Sequence, residues 1–461
     1  MLFNSFAFVL FAVVVLLSYH LLRAPNQQNV LLLAASLFFY AYGDWKLLSL
    51  ILLCALDGYV VAILLHRRPE RSRPLLVVGI AVPLAVLGTF KYFDFFVDEV
   101  GRLTELVGLG SPDLALELAL PVGISFYTFQ TIGYVVDVHR GLIEPERDPL
   151  VFFLFVTFFP QLVAGPIERS TNLLPQIRRR RTVDGQDLLH GTYLIAQGFT
   201  KKIVIADNVK PIVDSIFAIE GASGPLILVG SIAFAIQIYG DFSGYTDIAR
   251  GIARLLGFRL LLNFRRPYWS TNPAEFWNRW HITLSNWFRD YVYIPLGGNR
   301  AGRSRTLVNL MATMTLSGLW HGASANFVLW GAFHGTALIV HRVWSDRRPG
   351  KAPVVLGWVG TMLVVVIGWY MFRVTDGGQL IDGLSALVLD PAFGGLALAT
   401  LGTVVPYLAL MVAVDIVEWR VIDRADEIDP SWILSPVLTS LVVMIAVLGS
   451  DAGGEFIYFA F

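Results

Sequence analysis

Apolar runs recur along the whole chain, each about a helix long, with short polar or basic stretches between them. The runs are continuous rather than alternating. They therefore read as helices and not as the ~10-residue alternating strands of a membrane barrel. The pattern predicts spanning or buried helices over 2–22, 29–43, 46–65, 75–97, 114–136, 150–166, 188–206, 225–250, 306–320, 324–342, 353–373, 396–418 and 432–450. A straight crossing needs ~20 residues. Shorter runs, and those broken at Leu120-Pro121-Val122-Gly123 and Phe159-Pro160-Gln161, are expected to be re-entrant or buried, where irregular backbone is tolerated. Residues 2–22 carry no charge before Arg23, whereas a cleaved signal peptide puts positive charge ahead of its apolar core. They predict a retained first helix with its N-terminus outside and Arg23 inside. No internal repeat is visible, so the expectation is an all-α polytopic membrane protein with a single transmembrane domain over 1–461.

Composition strengthens this picture. Of 461 residues, 55% are hydrophobic and only 15% charged, and mean hydropathy is +0.62. Soluble proteins carry ~25% charged residues, so much of this surface must face membrane lipid. The formal net charge is +0, which gives no reason to expect nucleic acid as a partner. The charges are nevertheless segregated. Basic clusters fall at His66–Arg73, Arg178–Arg181, Lys201-Lys202, Arg265-Arg266, Arg300–Arg305 and Arg342–Lys351. They read as cytoplasmic loops, and a minority as attractors for an anionic donor such as a nucleotide phosphate. The single cysteine, Cys54, excludes an intrachain disulfide and a cysteine-based metal site, and it reads as a small core or lipid-facing residue.

Among candidate chemistry, His321 stands out, in Leu316-Ser317-Gly318-Leu319-Trp320-His321-Gly322 inside an apolar stretch. An ionisable group at membrane depth is a functional candidate by default. The loops on either side, Arg300–Arg305 and Arg342–Lys351, both read as cytoplasmic, so the segment between must enter and return. A helical path from Arg305 places His321 ~24 Å in, against a hydrocarbon thickness of ~30 Å. His321 is therefore expected to lie deep, nearer the far side.

A second constellation runs from Asn272 to Pro295. Asn272, Pro273 and Glu275 mark a helix start. Trp277, Trp280, His281, Leu284, Phe288 and Tyr291 then share one helical face, which predicts an amphipathic helix at the interface or dipping into the bundle. A lone histidine on such a stripe reads as packing. Two histidines in aromatic settings point instead to a shared polar site. Asp241 and Asp247, in Tyr239-Gly-Asp-Phe-Ser-Gly-Tyr-Thr-Asp247, need partners. They read either as orienters of a histidine or arginine, or as a structural polar knot. His334 and His341 read as packing and interface residues. His20, His66, His139 and His190 lie near helix ends or loops. No metal, nucleotide or redox fingerprint is present, so no bound cofactor or metal is expected.

These residues resemble the membrane-bound O-acyltransferase (MBOAT) family, and most closely its bacterial alginate O-acetyltransferase branch. The resemblance rests on Leu120-Pro-Val-Gly-Ile-Ser-Phe-Tyr127, Leu162-Val-Ala-Gly-Pro-Ile167, Asp241-Phe-Ser-Gly-Tyr-Thr-Asp247, Glu275-Phe-Trp-Asn-Arg-Trp-His-Ile-Thr-Leu-Ser285, Trp287-Phe-Arg-Asp-Tyr-Val-Tyr293, Leu296-Gly-Gly-Asn-Arg300, Ser317-Gly-Leu-Trp-His-Gly322 and Phe456-Ile-Tyr-Phe-Ala-Phe461. It implies a helical bundle with re-entrant helices around a central tunnel. It maps the family's membrane histidine onto His321 and its second active-site position onto His281. It further implies acyl transfer, with acetyl-CoA as the donor substrate, from a cytoplasmic thioester to an extracytoplasmic polysaccharide hydroxyl. The transfer is direct or passes through a periplasmic or extracellular partner transferase, in a protein of the bacterial inner membrane. His321 is then the base, or itself the nucleophile through an acyl-imidazole. His281 polarises the carbonyl or positions the acceptor. Transfer of D-alanyl or another acyl group to a cell-wall polymer from a carrier-protein thioester shares these motifs. A transporter without chemistry is the reading from a different class.

Overall fold

The computed structural model describes residues 1–106, 108, 120–163, 165–300, 302–347, 353–422, 431–450 and 456–457. The described residues are helical, with no strand among them. They group into two compact units. One holds Met1, Phe6–Val183 and Ala253–Leu261; the other holds Leu2–Ser5, Asp184–Ile252 and Leu262–Phe461. Among the described residues, five helical stretches are long and apolar enough to cross a membrane: Trp45–Arg67, Pro69–Gly101, Gly224–Leu255, Val354–Arg373 and Gly395–Arg420.

The first unit contains α1 (Phe6–Leu21), α2 (Pro25–Ala41), α3 (Leu48–Arg67), α4 (Ser72–Leu87), α5 (Phe93–Leu106), α6 (Ile124–His139), α7 (Pro149–Thr157), α8 (Phe159–Leu162) and α9 (Ser170–Arg178). Cys54 is buried in α3. The start of the run expected at 114–136 lies outside the described residues up to 119, and the described helix begins at Ile124. The break before it has a local cause. Gly123 adopts φ 75°, and a Cβ there would come 2.5 Å from the Leu162 carbonyl oxygen. A left-handed position with that little room favours glycine. The second expected interruption divides α7 from α8 at Phe158 (ψ 107°). The Phe159 N–H freed there donates to Ser36 Oγ at 3.1 Å.

The second unit contains α10 (Gly185–Phe199), α11 (Asp207–Phe217), α12 (Gly224–Leu255, whose last turn belongs to the first unit), α13 (Pro273–Arg279), α14 (Ile282–Phe288), α15 (Arg303–His321), α16 (Ala325–Arg347), α17 (Val354–Arg373), α18 (Gly377–Leu389), α19 (Gly395–Val417) and α20 (Ser431–Leu448). In helix α12, 89% of its most apolar window is buried, as expected of a core helix. Helices α9, α11 and α18 were not expected. Helices α9 and α11 are short and half polar, and α18 is apolar but short of the ~20 residues a span needs.

Two expectations need correction. Lys201-Lys202 is not a cytoplasmic loop. Both residues are buried in a π-helical turn, Thr200–Ala206, that continues α10. They pair with the aspartates of α12, Lys201 Nζ with Asp247 at 2.7 Å and Lys202 Nζ with Asp241 at 2.6 Å and Asp207 at 2.8 Å. Of the two readings of Asp241 and Asp247, the structure gives the polar knot, and buried charges require such pairing. Residues 272–295 do not form one amphipathic helix either. They form α13 and α14, separated at Trp280-His281, with a π-helical turn at Arg289–Tyr293.

The hairpin around His321 is present. Helix α15 runs unbroken to His321 and α16 returns from Ala325. Its two ends lie side by side, with Arg303 Nη2 3.5 Å from Asp346 Oδ2. The helices pack closely because the contact is made of glycine. A Cβ on Gly318 would lie 2.1 Å from the Phe327 carbonyl oxygen, and one on Gly331 would lie 2.4 Å from that of Met314. Neither helix is among the five long apolar stretches. Helix α15 instead buries Thr306, Asn309, Thr313 and Ser317, a composition suited to protein rather than lipid surroundings.

Candidate active site

His321 closes the last turn of α15 and is 3% exposed. Aromatic rings meet its imidazole edge to face: Trp320 at 4.9 Å, Trp330 at 5.1 Å and Phe372 at 5.2 Å between centroids. Three helices supply these walls, α15, α16 and α17.

His281 reaches the same layer by another route. It occupies the break between α13 and α14 with φ 44° and ψ 54°, a left-handed conformation that costs a non-glycine residue ~1–2 kcal/mol. The flanking loop holds it there. Arg265 N–H donates to Arg279 O at 2.9 Å, and Ile282 N–H donates to Asn263 O at 2.9 Å. The Asn263 side chain sits inside the turn, with its Oδ1 3.0 Å from His281 Nδ1 and 3.0 Å from the Thr283 hydroxyl. The His281 ring stands at 89° to Phe242, 4.8 Å away, and is 6.0 Å from Trp320. Trp320 thus packs on both histidines.

The expected helix start at Asn272 is present, its side chain accepting from Glu275 N–H at 2.9 Å. Glu275 in turn accepts from the Thr271 N–H at 2.8 Å and pairs with Arg279 at 2.6 Å. Partial burial pushes the Glu275 carboxyl up, but the Thr271 N–H and hydroxyl and the Arg279 guanidinium outweigh it and hold the carboxyl below its ordinary value. Trp280, buried at the break, packs on Trp369 at 4.7 Å and Phe264 at 5.0 Å.

Asn263 and His334 are among the residues that join this site without having been singled out for it. Asn263 carries no motif of its own, and only its contact across the turn reveals it. His334, expected to be a packing residue, is buried on α16 one turn beyond Trp330, with ring centroids 4.8 Å apart, and meets Trp277 at 5.1 Å. Its spacing of four from Trp330 was the available signal, since it places both on one helical face. Asp241 and Asp247 reach neither imidazole through any described bond. Asp241 instead accepts from the Ile457 N–H at 2.6 Å, beside Phe456, which packs on Phe242 at 5.6 Å. A cavity of about 610 Å³ opens elsewhere in this unit, between α11, α17 and α18, and neither histidine lines it.

Comparison with known proteins bears on this site. The profile of MBOAT, the membrane-bound O-acyltransferase family, matches residues 145–376, a span that includes both His281 and His321. The chain is 40% identical over 378 residues to a probable alginate O-acetylase of Pseudomonas putida, covering 81% of this chain and 77% of that protein. It is 34% identical over 427 residues to a peptidoglycan O-acetyltransferase of Helicobacter pylori, covering 84% and 80%. A teichoic acid D-alanyltransferase of Streptococcus thermophilus is 29% identical over 244 residues, covering 49% and 58%.

Proposed function

The chain belongs to the membrane-bound O-acyltransferase family, and from that premise we propose that it transfers an acetyl group from cytoplasmic acetyl-CoA toward a hydroxyl of an extracytoplasmic polysaccharide. It is an acyltransferase of the alginate O-acetyltransferase-like kind and a multi-pass membrane protein. The proposal adds the donor, the acceptor and the bacterial inner membrane as location. It also adds that residues 1–461 act as one transmembrane domain, and that the acetyl group passes directly or through a partner transferase. No resident cofactor or metal is required, because the thioester is itself the activated reactant.

The observation that carries this reading is the pair of buried imidazoles that both pack on Trp320. A hydroxyl attacks a thioester carbonyl efficiently only as its proton leaves, and an imidazole with an ordinary pKa of ~6.5 suits that transfer near neutral pH. His321 takes the hydroxyl proton as the carbon–oxygen bond forms. The carbon–sulfur bond then breaks, and the proton passes to the departing thiolate, leaving an ester and a free thiol. His281 holds the reacting group in place. An acyl-imidazole on His321 would use the same placement, and a trapped acyl-histidine would identify that route.

The deciding experiment measures the ester content of surface polysaccharide in deletion, wild-type and His321→Ala strains fed labelled acetate or labelled D-alanine. Acetate label lost in both the deletion and the His321→Ala strain supports the proposal. D-alanine label lost in its place moves the activity to D-alanyl transfer, and full acetylation by His321→Ala refutes the assigned base.

A further inference from the structure

Asn263 is fully buried and receives more donors than a loop asparagine needs. The Thr283 backbone N–H points at its Oδ1 from 3.3 Å and the Thr283 hydroxyl from 3.0 Å. A backbone N–H can only donate, so the atom facing it must be the carbonyl oxygen and not the amide nitrogen. The amide orientation is thereby forced by its surroundings rather than assigned by convention. The same oxygen lies 3.0 Å from His281 Nδ1 and has no proton to give, so Nδ1 must carry one. A neutral His281 then has its lone pair on Nε2. The other end of the amide, Nδ2, is buried with no hydrogen-bond acceptor among the described residues. An asparagine serving only to brace the loop would satisfy both ends, so the oxygen end is the one this site uses.

From this geometry we infer that Asn263 is a positioning residue that fixes His281 as its Nδ1–H tautomer and makes Nε2 a hydrogen-bond acceptor. The inference deepens the proposed function and rests on His281 belonging to the acyl-transfer site. It also chooses between the two roles open to His281. A neutral ring bare at Nε2 cannot donate to a carbonyl, so it does not polarise the thioester. It accepts a hydrogen bond from a neighbouring hydroxyl of the acceptor and so orients it, while the proton of the attacking hydroxyl goes to His321. The general logic is that the bond made by one ring nitrogen determines the state of the other.

Two measurements test it. In protein labelled with ¹⁵N-histidine, with His281 assigned by difference against His281→Gln, ¹⁵N spectra at neutral pH should show a protonated Nδ1 and a bare Nε2. A protonated Nε2 beside a bare Nδ1 overturns the inference whatever the activity shows. Kinetics supply the second arm. Asn263→Asp keeps an acceptor but adds a negative charge, which favours the imidazolium, so the acid limb of kcat should move up by about one pH unit or more. Asn263→Leu removes the acceptor and should lower kcat by about 10²-fold, with donor KM little changed. Equal losses in both variants with an unmoved acid limb would reduce Asn263 to a structural brace. Should His281→Gln retain full transfer, the role of His281 in the proposed function fails, while the wild-type spectra still decide the tautomer.

Discussion

His321 and His281 are both buried imidazoles on the same indole, yet the chain presents them by opposite means. His321 ends a 19-residue helix whose register alone determines where the ring points. Its hairpin is secured near its turn by glycine contacts at Gly318 and Gly331. His281 lies between two seven-residue helices, in a left-handed conformation kept by hydrogen bonds from a loop that precedes it in the chain. Short helices have little stability of their own. The His321 position is thus local and robust, whereas the His281 position is borrowed from Asn263 and its neighbours. In the proposed mechanism the base is placed by its helix, and the positioning imidazole by a strained turn that its surroundings over-determine.

The comparison can be broken at several points. The largest effect is expected for His321→Ala, which should lower acyl transfer by about 10²–10⁴-fold, the range typical of a lost general base, with membrane insertion unchanged. Radiolabel transfer in purified membranes, normalised to protein amount, measures this. His281→Ala should fall less, to the lower end of that range. If both single variants and the double variant lose the same amount, the two rings work as one unit and the contrast drawn above fails.

Stability separates the two regions further. Gly318→Ala places a methyl group 2.1 Å from a backbone oxygen of the facing helix. It should destabilise the hairpin by about 1–3 kcal/mol, the usual cost of overpacking, seen as a lower thermal midpoint in detergent. Asn272→Ala removes the cap of α13 and should cost about 1 kcal/mol. That smaller loss should lower transfer through His281 without disturbing the α15–α16 hairpin, and hydrogen exchange resolved by segment would reveal a cap effect that spread to α15.

Much of the architecture was legible because lipid and a helical core impose simple patterns. The run at 225–250 appears as α12, and the runs at 306–320 and 324–342 appear as the hairpin. The break at Leu120-Pro121-Val122-Gly123 was also readable, since proline and glycine act through the local backbone. Lys201-Lys202 misled because a basic pair is ordinarily a topology signal, and nothing local announces the aspartates awaiting it on α12. Residues 272–295 misled in a different way. Their apolar stripe is continuous at helical spacing, and the break at His281 pays no respect to it.

By itself the sequence determined the helical class and the hairpin, and it pointed to the two histidines, because each follows from periodicity, chain direction or a local motif. Only the tertiary structure decided that Trp320 joins those histidines, that His334 stands behind Trp330, and that Asn263 dictates which nitrogen of His281 bears the proton. The reason is physical. A left-handed residue and a chosen tautomer are each unfavourable or undetermined alone, and they become fixed only when hydrogen bonds from distant residues outweigh the local preference.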